Sequence, residues 1–476
     1  QNNMGWQFIN GRPIMMSRSG WTPQIPTDLQ LSVITGGVRL TWSSAERDYT
    51  EIWRSIGGGT YTLITVVAAG IYTYDDTISG GSVDYKIRGG NHYEYSSFSN
   101  IYGIPLSILF TTNGATAIEF ELQGTTGATA SVIYWGDGSS TNATLNNAII
   151  KYTKTVSAGV KYITVTNAAS YKGVRLGYDN ISNCEGNISA FNSCTNLELL
   201  GIYPSEGQWT GSINGINKGL ITLYLDTLAG NTISGDVTPF TSLETLKTNS
   251  PLTGNCSNTI PLKILSLGTS VGIAITCNIT LLVNIIEIDS YAPNSWIGGD
   301  LTNHLVFKHL CVGATPNEFY GDIATCPNWE YLDNYGDSYI HGDISGLIHI
   351  YRFLSYNCSN AFTGSLANLT ELGMFSVMND LSTITKPARL NNNTKVGYLQ
   401  HDNWNFSAAE ITTLAADVLA SKDIAKTSGN AERTINFSTN GSSTPTGQGA
   451  TDITTLRAYR SPSNNVAYSL WTILTN

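Results

Sequence analysis

A six-residue apolar pattern recurs along the second half of the chain and constrains its fold more than any other feature. Most copies place apolar residues at the first, fourth and sixth positions, and successive copies begin about 22 residues apart. Self-similarity at a period of roughly 20 to 50 residues predicts a solenoid of stacked coils. The ten copies are LELLGI (197–202), LITLYL (220–225), LETLKT (243–248), LKILSL (262–267), VNIIEI (283–288), FKHLCV (307–312), WEYLDN (329–334), YRFLSY (351–356), LGMFSV (372–377) and VGYLQH (396–401).

A glycine precedes most copies, and an apolar residue follows it two positions later. Gly342 and Ile344 show this arrangement in GDISGL, with Asp343 between them. Glycine permits a positive φ angle and a close backbone approach, so it predicts a bend in each coil. The fourth copy departs, because Cys256 occupies the apolar position. The recurring glycines are Gly186, Gly211, Gly235, Gly254, Gly299, Gly321, Gly342 and Gly364.

This spacing predicts short strands that stack. Alternate side chains of a strand point to one face, so each copy would direct two apolar side chains inward. One repeat cannot bury its apolar face alone, and neighbouring repeats therefore share a core. Residues 173–405 thus resemble a degenerate leucine-rich repeat of the bacterial-surface type, although they lack the asparagine that usually caps each coil. A parallel β-helix is the competing fold.

Residues 23–104 show short strand signals separated by glycine-rich turns, which predicts a β-sandwich. The strand VRLTWS alternates apolar and polar residues through Trp42. PTDLQLSV, Trp42 and SVDYKIRGGNHYEYSSFSN resemble the first strand, core tryptophan and last strands of a fibronectin type III domain, with Tyr85 at the tyrosine-corner position. The resemblance implies a spacer or binding module without catalysis.

Residues 105–172 predict a second sandwich-like unit. Its WGDG turn at 135–138, Tyr152 and the strand GVKYITVTN resemble a PKD-type immunoglobulin-like domain. Asp137 lies between two glycines, where an aspartate accepts backbone hydrogen bonds and fixes a turn. We favour that interpretation over a metal ligand or a catalytic acid.

The two ends of the chain differ from the repeats. Residues 1–22 are too few for a core of their own, so their aromatic residues predict an attachment arm. Residues 406–476 begin with a predicted helix, in which Ser407 and Glu410 form a capping box. This ending resembles the C-terminal cap of repeat-bearing proteins of Bacteroidota and their phages. The expected fold is mainly β, with two small sandwiches, a leucine-rich-repeat-like solenoid and a C-terminal α/β cap.

Composition and charge argue against several classes of binding partner and site. Charged residues make up 13% of the chain, about half of the ~25% usual in globular proteins. The net charge of −10 argues against nucleic acid, because phosphate binding needs basic patches. No apolar stretch reaches the about 20 residues that a transmembrane helix needs. The seven cysteines include no C-x-x-C pair, which predicts buried thiols rather than a zinc site.

Aspartates after the recurring glycines are the strongest enzymatic candidates. They would stack along the solenoid, where paired carboxylates can serve glycoside hydrolysis or bind calcium. Asn187, Ser212, Asn255 and Ser365 occupy the equivalent position, and this interchange favours a turn role. We therefore predict no catalytic residue, cofactor or metal site. The aspartates are Asp236, Asp300, Asp322 and Asp343.

A binding surface is favoured over an active site. Residues in the middle of each predicted strand, and just after it, would line one open surface. Tyrosine with aspartate suits contact with carbohydrate or protein, and a merely solvated surface is the alternative. The candidate surface residues are Tyr203, Tyr224, Asp226, Glu287, Asp289, Asp333, Tyr335, Gln400 and Asp402.

The leading hypothesis is a non-enzymatic virion structural protein of a bacteriophage: a fibre, decoration or adaptor component on the virion surface. Residues 1–22 would bind other virion proteins, and the solenoid would bind a host-surface glycan or protein. A homo-oligomer or symmetric array is expected. A secreted bacterial cell-surface adhesin with the same modules is the alternative. A glycan-cleaving enzyme of the tailspike type is less favoured.

Overall fold

A computed structural model gives two compact units, each described by itself. The first comprises 1–173, 179–196 and 206–209, and the second comprises 174–178, 197–205 and 210–476. The residues described are 6–9, 12–15, 23, 25–34, 37–43, 48–56, 60–77, 83–91, 94–99, 102–103, 108–112, 117–126, 131–135, 139–144, 146–155, 161–177, 184–203, 208–225, 232–313, 318–335, 338–356, 361–378, 383–385, 387, 398–401, 404, 406–421, 434–436, 450–451 and 472–474.

The first unit begins with a hairpin and a small β-sandwich. β1 and β2 pair antiparallel within the predicted attachment arm. The sandwich has one sheet in the order β3-β4-β7 and another in the order β6-β5-β8-β9. The strands are β1 (Trp6–Ile9), β2 (Arg12–Met15), β3 (Thr27–Ile34), β4 (Gly37–Ser43), β5 (Tyr49–Ile56), β6 (Thr62–Ala68), β7 (Thr73–Thr77), β8 (Val83–Gly90) and β9 (Tyr102–Gly103).

Trp42 and Tyr85 lie in the core of this sandwich, as the sequence predicts, beside Leu40 and Ile87. The Tyr85 hydroxyl donates a hydrogen bond of 2.6 Å to Asp76. In a tyrosine corner this hydroxyl bonds the backbone instead. Tyr85 is therefore a buried ring whose polar partner is a carboxylate, which differs from the tyrosine corner that the resemblance implies.

Two further small sheets follow in the first unit. One runs β13-β12-β15-β10-β17, and β11 pairs with β14. Trp135 is buried against Phe120, with ring centroids 5.6 Å apart. Residues 136–138, which complete the WGDG turn, lie outside the described residues. The strands are β10 (Ile108–Thr112), β11 (Ala117–Gly124), β12 (Ser131–Tyr134), β13 (Ser140–Ala143), β14 (Ile149–Thr155), β15 (Lys161–Val165), β16 (Tyr171–Leu176) and β17 (Cys184–Asn187).

The second unit is a β-solenoid. Two ladders of parallel strands alternate along the chain, and eight coils carry a strand in both. In chain order the strands are β18 (Leu199–Ile202), β19 (Trp209–Ser212), β20 (Thr222–Leu225), β21 (Thr232–Asp236), β22 (Thr245–Thr248), β23 (Leu252–Asn255), β24 (Ile264–Leu267), β25 (Ala274–Asn278), β26 (Glu287–Ser290), β27 (Trp296–Asp300), β28 (His309–Val312), β29 (Glu318–Asp322), β30 (Tyr331–Tyr335), β31 (Tyr339–Asp343), β32 (Arg352–Tyr356), β33 (Ala361–Thr363), β34 (Met374–Met378), β35 (Tyr398–His401), β36 (Thr434–Asn436) and β37 (Thr472–Leu474).

We call the even-numbered strands β18 to β34, with β35 to β37, the face ladder. The odd-numbered strands β19 to β33 form the cap ladder, because turns that need capping follow them. Short 3-10 turns lead out of several of these strands. Within the described ranges the 3-10 turns are Ala168–Ser170, Ile188–Ser193, Ile213–Gly215, Ile279–Leu281, Ile323–Thr325 and Ile344–Gly346.

The second residue of each face-ladder strand from β18 to β34 points into the core. The register aligns these residues from coil to coil, so they form one continuous apolar row. Burying this row against its neighbours stabilises the stack, since one coil alone cannot exclude water. The row is Leu200, Leu223, Leu246, Leu265, Ile288, Leu310, Leu332, Phe353 and Phe375, all buried.

The predicted register was wrong in two copies. In the fifth, Ile285 and Ile288 are buried, whereas Val283 is 56% exposed. In the eighth, Ile350 and Phe353 occupy the inward positions that the pattern assigned to Tyr351 and Leu354. Both errors have a similar cause: an extra apolar residue near the true first position, Val283 two places before Ile285 and Tyr351 one place after Ile350, imitates the spacing.

The end of the solenoid carries α1 (Ala408–Ser421) before β36 and β37. The predicted capping box is confirmed: the Ser407 N–H donates to Glu410 at 2.7 Å, and the Glu410 N–H donates to Ser407 Oγ at 3.3 Å. Ile411 and Leu414 bury the apolar side of the helix. Six cysteines are buried free thiols, as predicted, and Cys358 lies outside the described residues.

Candidate binding face of the solenoid

The residue after each recurring glycine caps a turn. Asp343 accepts a hydrogen bond of 2.8 Å from the Ser345 N–H, and Asp322 accepts one of 2.9 Å from the Ala324 N–H. A side-chain oxygen here satisfies a donor at the start of the turn. The predicted turn role is therefore confirmed. The residues that cap in this way are Asn187, Ser212, Asp236, Asn255, Asn278, Asp300, Asp322, Asp343 and Ser365.

A second set of hydrogen bonds joins several of these turns to the next coil. Thr302 follows the cap Asp300 by two residues, and its Oγ1 accepts a bond of 3.2 Å from the Asp322 N–H. Ser345 Oγ likewise accepts one of 2.8 Å from the Ser365 N–H. Caps and hydroxyls thus form an interlocked line of bonds between coils.

At several of the recurring glycines, two separate features require glycine. Gly321 has φ 120° and Gly342 has φ 126°, a range that side chains rarely adopt. A Cβ on Gly321 would lie 2.5 Å from Asp300 Oδ1 in the preceding coil. A Cβ on Gly342 would overlap Asp322 in the same way. Glycine is therefore set by the backbone angle and by contact with the previous cap.

The cap aspartates are stabilised as carboxylates. Hydrogen bonds from Ser345 hold the pKa of Asp343 below its usual value, and those from Thr238 do the same for Asp236. Across the part of the chain that the structure describes, no three His, Cys, Asp or Glu side chains form a group suited to a metal ion. The geometry of the cap ladder therefore favours a structural role for these aspartates over a catalytic or metal-binding role.

The face ladder carries aromatic rings in rows. First and third residues of each strand point away from the core, because side chains alternate. Parallel pairing at about 4.8 Å then brings equivalent rings of adjacent coils face to face. Two pairs are of this kind, His309 with Tyr331 (ring centroids 4.3 Å) and Tyr335 with Tyr356 (4.8 Å). Tyr203, the residue after β18, stacks on Tyr224 at 4.4 Å, although Gly201 is the register partner of Tyr224.

Two ion pairs lie among these rings. Arg352 donates to Asp333 Oδ2 at 2.5 Å, and its guanidinium lies 5.0 Å from the Tyr331 ring centroid. Burial raises the pKa of Asp333, which is 3% exposed, while Arg352 lowers it. Lys247 lies 3.4 Å from Glu287. Asp333 and Glu287 are thus each paired with a cationic side chain.

Asp289 makes no ion pair with any of the described residues. It is half-buried on β26, in register with Cys311, and its Oδ1 has no hydrogen-bond partner among the described residues. Burial raises its pKa, and His309 lowers it. Burial also raises the pKa of Cys311 to about 11, so this thiol stays protonated at neutral pH. The Tyr291 hydroxyl lies 2.6 Å from Cys311 Sγ.

His309 is neutral at pH 7, because burial lowers its pKa although Glu287, Asp289 and Asp333 raise it. The ion pairs Lys247–Glu287 and Arg352–Asp333 cancel in charge. Asp289 therefore leaves the centre of the face with one uncompensated negative charge. The surface can stack flat rings and attract a cation.

The structure brings together some of the predicted surface residues and separates others. Glu287 and Asp289 share β26, and Asp333 and Tyr335 share β30, two coils further on. Tyr203 and Tyr224 form a separate stack, and Gln400 lies on β35. Asp226 and Asp402 fall outside the described residues.

Sequence reasoning missed His309, Tyr331 and Arg352, the first residues of their strands. Strand alternation gave a signal for His309 and Tyr331, since each directly precedes an inward leucine. Arg352 was hidden by the one-residue error in the eighth copy. Their stacking depends on which coils adjoin, which one repeat does not reveal.

Comparison with known proteins gives no family for this chain. No protein-family model matches it, and no curated protein matches its sequence. Within the described residues, no helix is both long and apolar enough to cross a membrane.

Proposed function

We propose that this chain is a non-enzymatic binding protein of a bacteriophage virion, and that its face ladder contacts a glycan or protein on the host surface. The observation that carries the proposal is the set of stacked rings around carboxylates in the middle of that ladder. Stacked rings are rigid and amphipathic, so they gain contact area at little cost in conformational entropy.

The modules support a role in presentation. A solenoid offers an extended ordered surface, and fibronectin type III-like and PKD-like sandwiches would act as spacers before it. The coils would be of the leucine-rich-repeat type. Residues 1–22 would attach the chain to other virion proteins in a homo-oligomeric or symmetric array. The setting would be a phage of a Bacteroidota host, without nucleic acid as a partner.

Catalysis is less favoured, because the recurring carboxylates already serve as turn caps. Asp322 and Asp343 each accept a bond from their own turn, and hydrogen bonding holds the pKa of Asp343 low. A general acid for glycoside cleavage needs a raised pKa. We expect no release of reducing sugar from host polysaccharide. Release that Asp322→Asn or Asp343→Asn abolishes would overturn this.

Mass spectrometry of purified virions is the direct test of the setting. We expect peptides of this chain at a stoichiometry that matches a symmetric position on the particle. Recovery only from a bacterial cell-surface fraction, with none in virions, would replace the virion role with that of a secreted adhesin. Both outcomes leave the binding role of the face to be tested separately.

A further inference from the structure

A turn leads from the cap ladder back to the face ladder in each coil, and the tips of these turns form a row along the solenoid. A backbone hydrogen bond closes the turn, as from the Ile285 N–H to the Leu282 carbonyl at 2.9 Å and from the Phe307 N–H to the His304 carbonyl at 3.0 Å. The two residues between the bonded pair form the tip of a β-turn. We call the first tip residues of seven successive coils the tip row: Thr241, Ile260, Val283, Leu305, Pro327, Ile348 and Thr370, all exposed.

The middle five residues of the tip row are apolar. Ile260 is 59% exposed, Leu305 58% and Ile348 49%. Leu281 and Val306, at 67% and 42%, widen the apolar strip in the two central coils. Single exposed apolar residues are ordinary, whereas a contiguous exposed strip marks an interaction surface.

Folding does not explain why these tips are apolar. Val283 lies outside the core, which its neighbours Leu282 and Ile285 fill. Thr241 and Thr370 occupy the same position at the two ends of the row, so the turn accepts a polar side chain there. Turn tips usually carry Gly, Asn, Asp, Pro or Ser. An external partner is therefore the better explanation of Ile, Val and Leu.

The spacing of the row indicates which partner. Paired parallel strands place equivalent residues of adjacent coils about 4.8 Å apart. Same-face residues lie about 6.6 Å apart on a β-strand and about 5 to 6 Å apart on an α-helix, so neither keeps step with five tips. A second copy of this solenoid has the same spacing, and its tips can interdigitate along the whole row.

The order of residues also suits a second copy. Reversing the tip row places Leu305 opposite itself and Ile260 opposite Ile348. Val283 then faces Pro327, and the two threonines meet at the ends. The row is thus self-complementary when two copies run antiparallel, as a two-fold interface requires.

Charges beside the row do not oppose this contact. Lys263 pairs with Glu244 at 2.7 Å, and Lys308 pairs with Glu330 at 2.6 Å. All four residues follow their tips by three positions. Each pair is neutral within one chain, so the flanks offer little attraction to a strongly charged partner.

We propose that the tip row is a self-association surface, at which two copies of this chain pack antiparallel about a two-fold axis at Leu305. The inference goes beyond the binding role of the face ladder and does not depend on it. A single row is a narrow contact compared with the roughly 800 Å² per partner of a standard interface. We therefore expect a dissociation constant of about 10 to 100 µM, and an array of attached copies would raise the effective concentration.

Sedimentation equilibrium of the full chain, at about 1 to 200 µM around that expected constant, tests the proposal. We expect the average mass to rise reversibly from one chain toward two. Leu305→Asp should weaken association at least about tenfold, because the two-fold axis buries both new carboxylates. Val271→Asp is the matched control: Val271 is 73% exposed on the loop from β24 to β25, at the opposite edge of the solenoid, and association should not change.

Cysteine cross-linking tests the antiparallel order, with the wild-type chain as the background. A disulfide needs Cα atoms within about 7 Å. Leu305→Cys should cross-link to itself, and Ile260→Cys should cross-link to Ile348→Cys in a mixture. Ile260→Cys alone should not, since its two copies would lie about 19 Å apart.

Four results would overturn the inference. A wild-type chain that stays monomeric throughout removes self-association, and lipid binding or host-cell adsorption lost in Leu305→Asp would then assign the row to a membrane or a host protein. Association unchanged by Leu305→Asp removes the row from the interface. Equal weakening by Val271→Asp shows unspecific contact, and self-cross-linking of Ile260→Cys refutes the antiparallel order. None of these results bears on the face ladder, which Tyr335→Ala tests separately.

Discussion

Asp343 and Asp289 are the same residue type in two ladders of one solenoid, and their surroundings are opposite. Asp343 is exposed, accepts a hydrogen bond from Ser345, and has a lowered pKa because of such bonds. Asp289 is half-buried, has an oxygen without a partner, and has a raised pKa because of burial. The first stabilises the fold, and the second carries a desolvation cost.

The difference teaches which acids to suspect of function. A residue that recurs in every coil has a structural role that all coils share, which here is the capping of a turn. Asp289 has neutral or oppositely charged neighbours in the same row, such as Ser266 and Lys247. In this row only Asp289 and Asp333 are acids, and an acid found at two coils of the stack serves no requirement that every repeat shares.

The largest loss of stability is expected at a recurring glycine of the cap ladder, where an added side chain has no room. Gly342→Ala forces a Cβ into a residue at φ 126° and into the Asp322 carboxylate. We expect the free energy of unfolding to fall by at least about 2 kcal/mol, measured by urea denaturation. Gly346→Ala is the matched control in the following turn, since nothing lies within 4 Å of its added Cβ. Equal losses in both variants would contradict this account of the glycines.

Removing the cap itself should cost less. Asp343→Ala deletes the acceptor for the Ser345 N–H and should lower the free energy of unfolding by about 1 kcal/mol. Asp343→Asn should retain most of the stability, because Asn255 and Asn278 cap equivalent turns. Since the folded pKa of Asp343 is lowered, any advantage of aspartate over asparagine should vanish as pH falls through it. An asparagine variant as unstable as alanine would show that charge, not capping, matters.

Much of the architecture was predictable because it recurs. The ten apolar copies, the glycines and the capping role all repeat, so each copy supports the others. Features that occur in a single copy were less predictable. Val283 and Tyr351 led to a wrong predicted register in their copies, and the hydrogen-bond partner of Tyr85 is Asp76. The cluster around His309 arises from contacts between adjacent coils. No residue spacing within one coil encodes it, so only part of the site could be found.

The smallest expected effect is a gain in stability, in contrast to the losses expected at Gly342 and Asp343. Asp289→Asn removes a desolvated charge and should raise the melting temperature at pH 7. Because the folded pKa of Asp289 is raised, the wild-type penalty is present above that pKa and is relieved as pH falls through it. The two proteins should therefore converge toward pH ~4, near the ordinary aspartate value. Asp289 raises the pKa of His309, so His309 loses this support in the variant and the pH dependence of the difference includes both groups. A variant less stable than wild type at pH 7 would show that Asp289 has a stabilising partner.

The central claim is that the face ladder binds the host surface, whereas the cap ladder only stabilises the fold. Adsorption of the purified chain to a panel of Bacteroidota cells tests this claim most directly. Tyr335 on the face and Tyr339 on the cap ladder are both exposed, at 37% and 60%. We predict that Tyr335→Ala weakens adsorption at least several-fold, in the range of about 1 to 2 kcal/mol for an aromatic contact residue, and that Tyr339→Ala leaves it unchanged. Loss of adsorption in Tyr339→Ala alone, or equal loss in both, would contradict the claim.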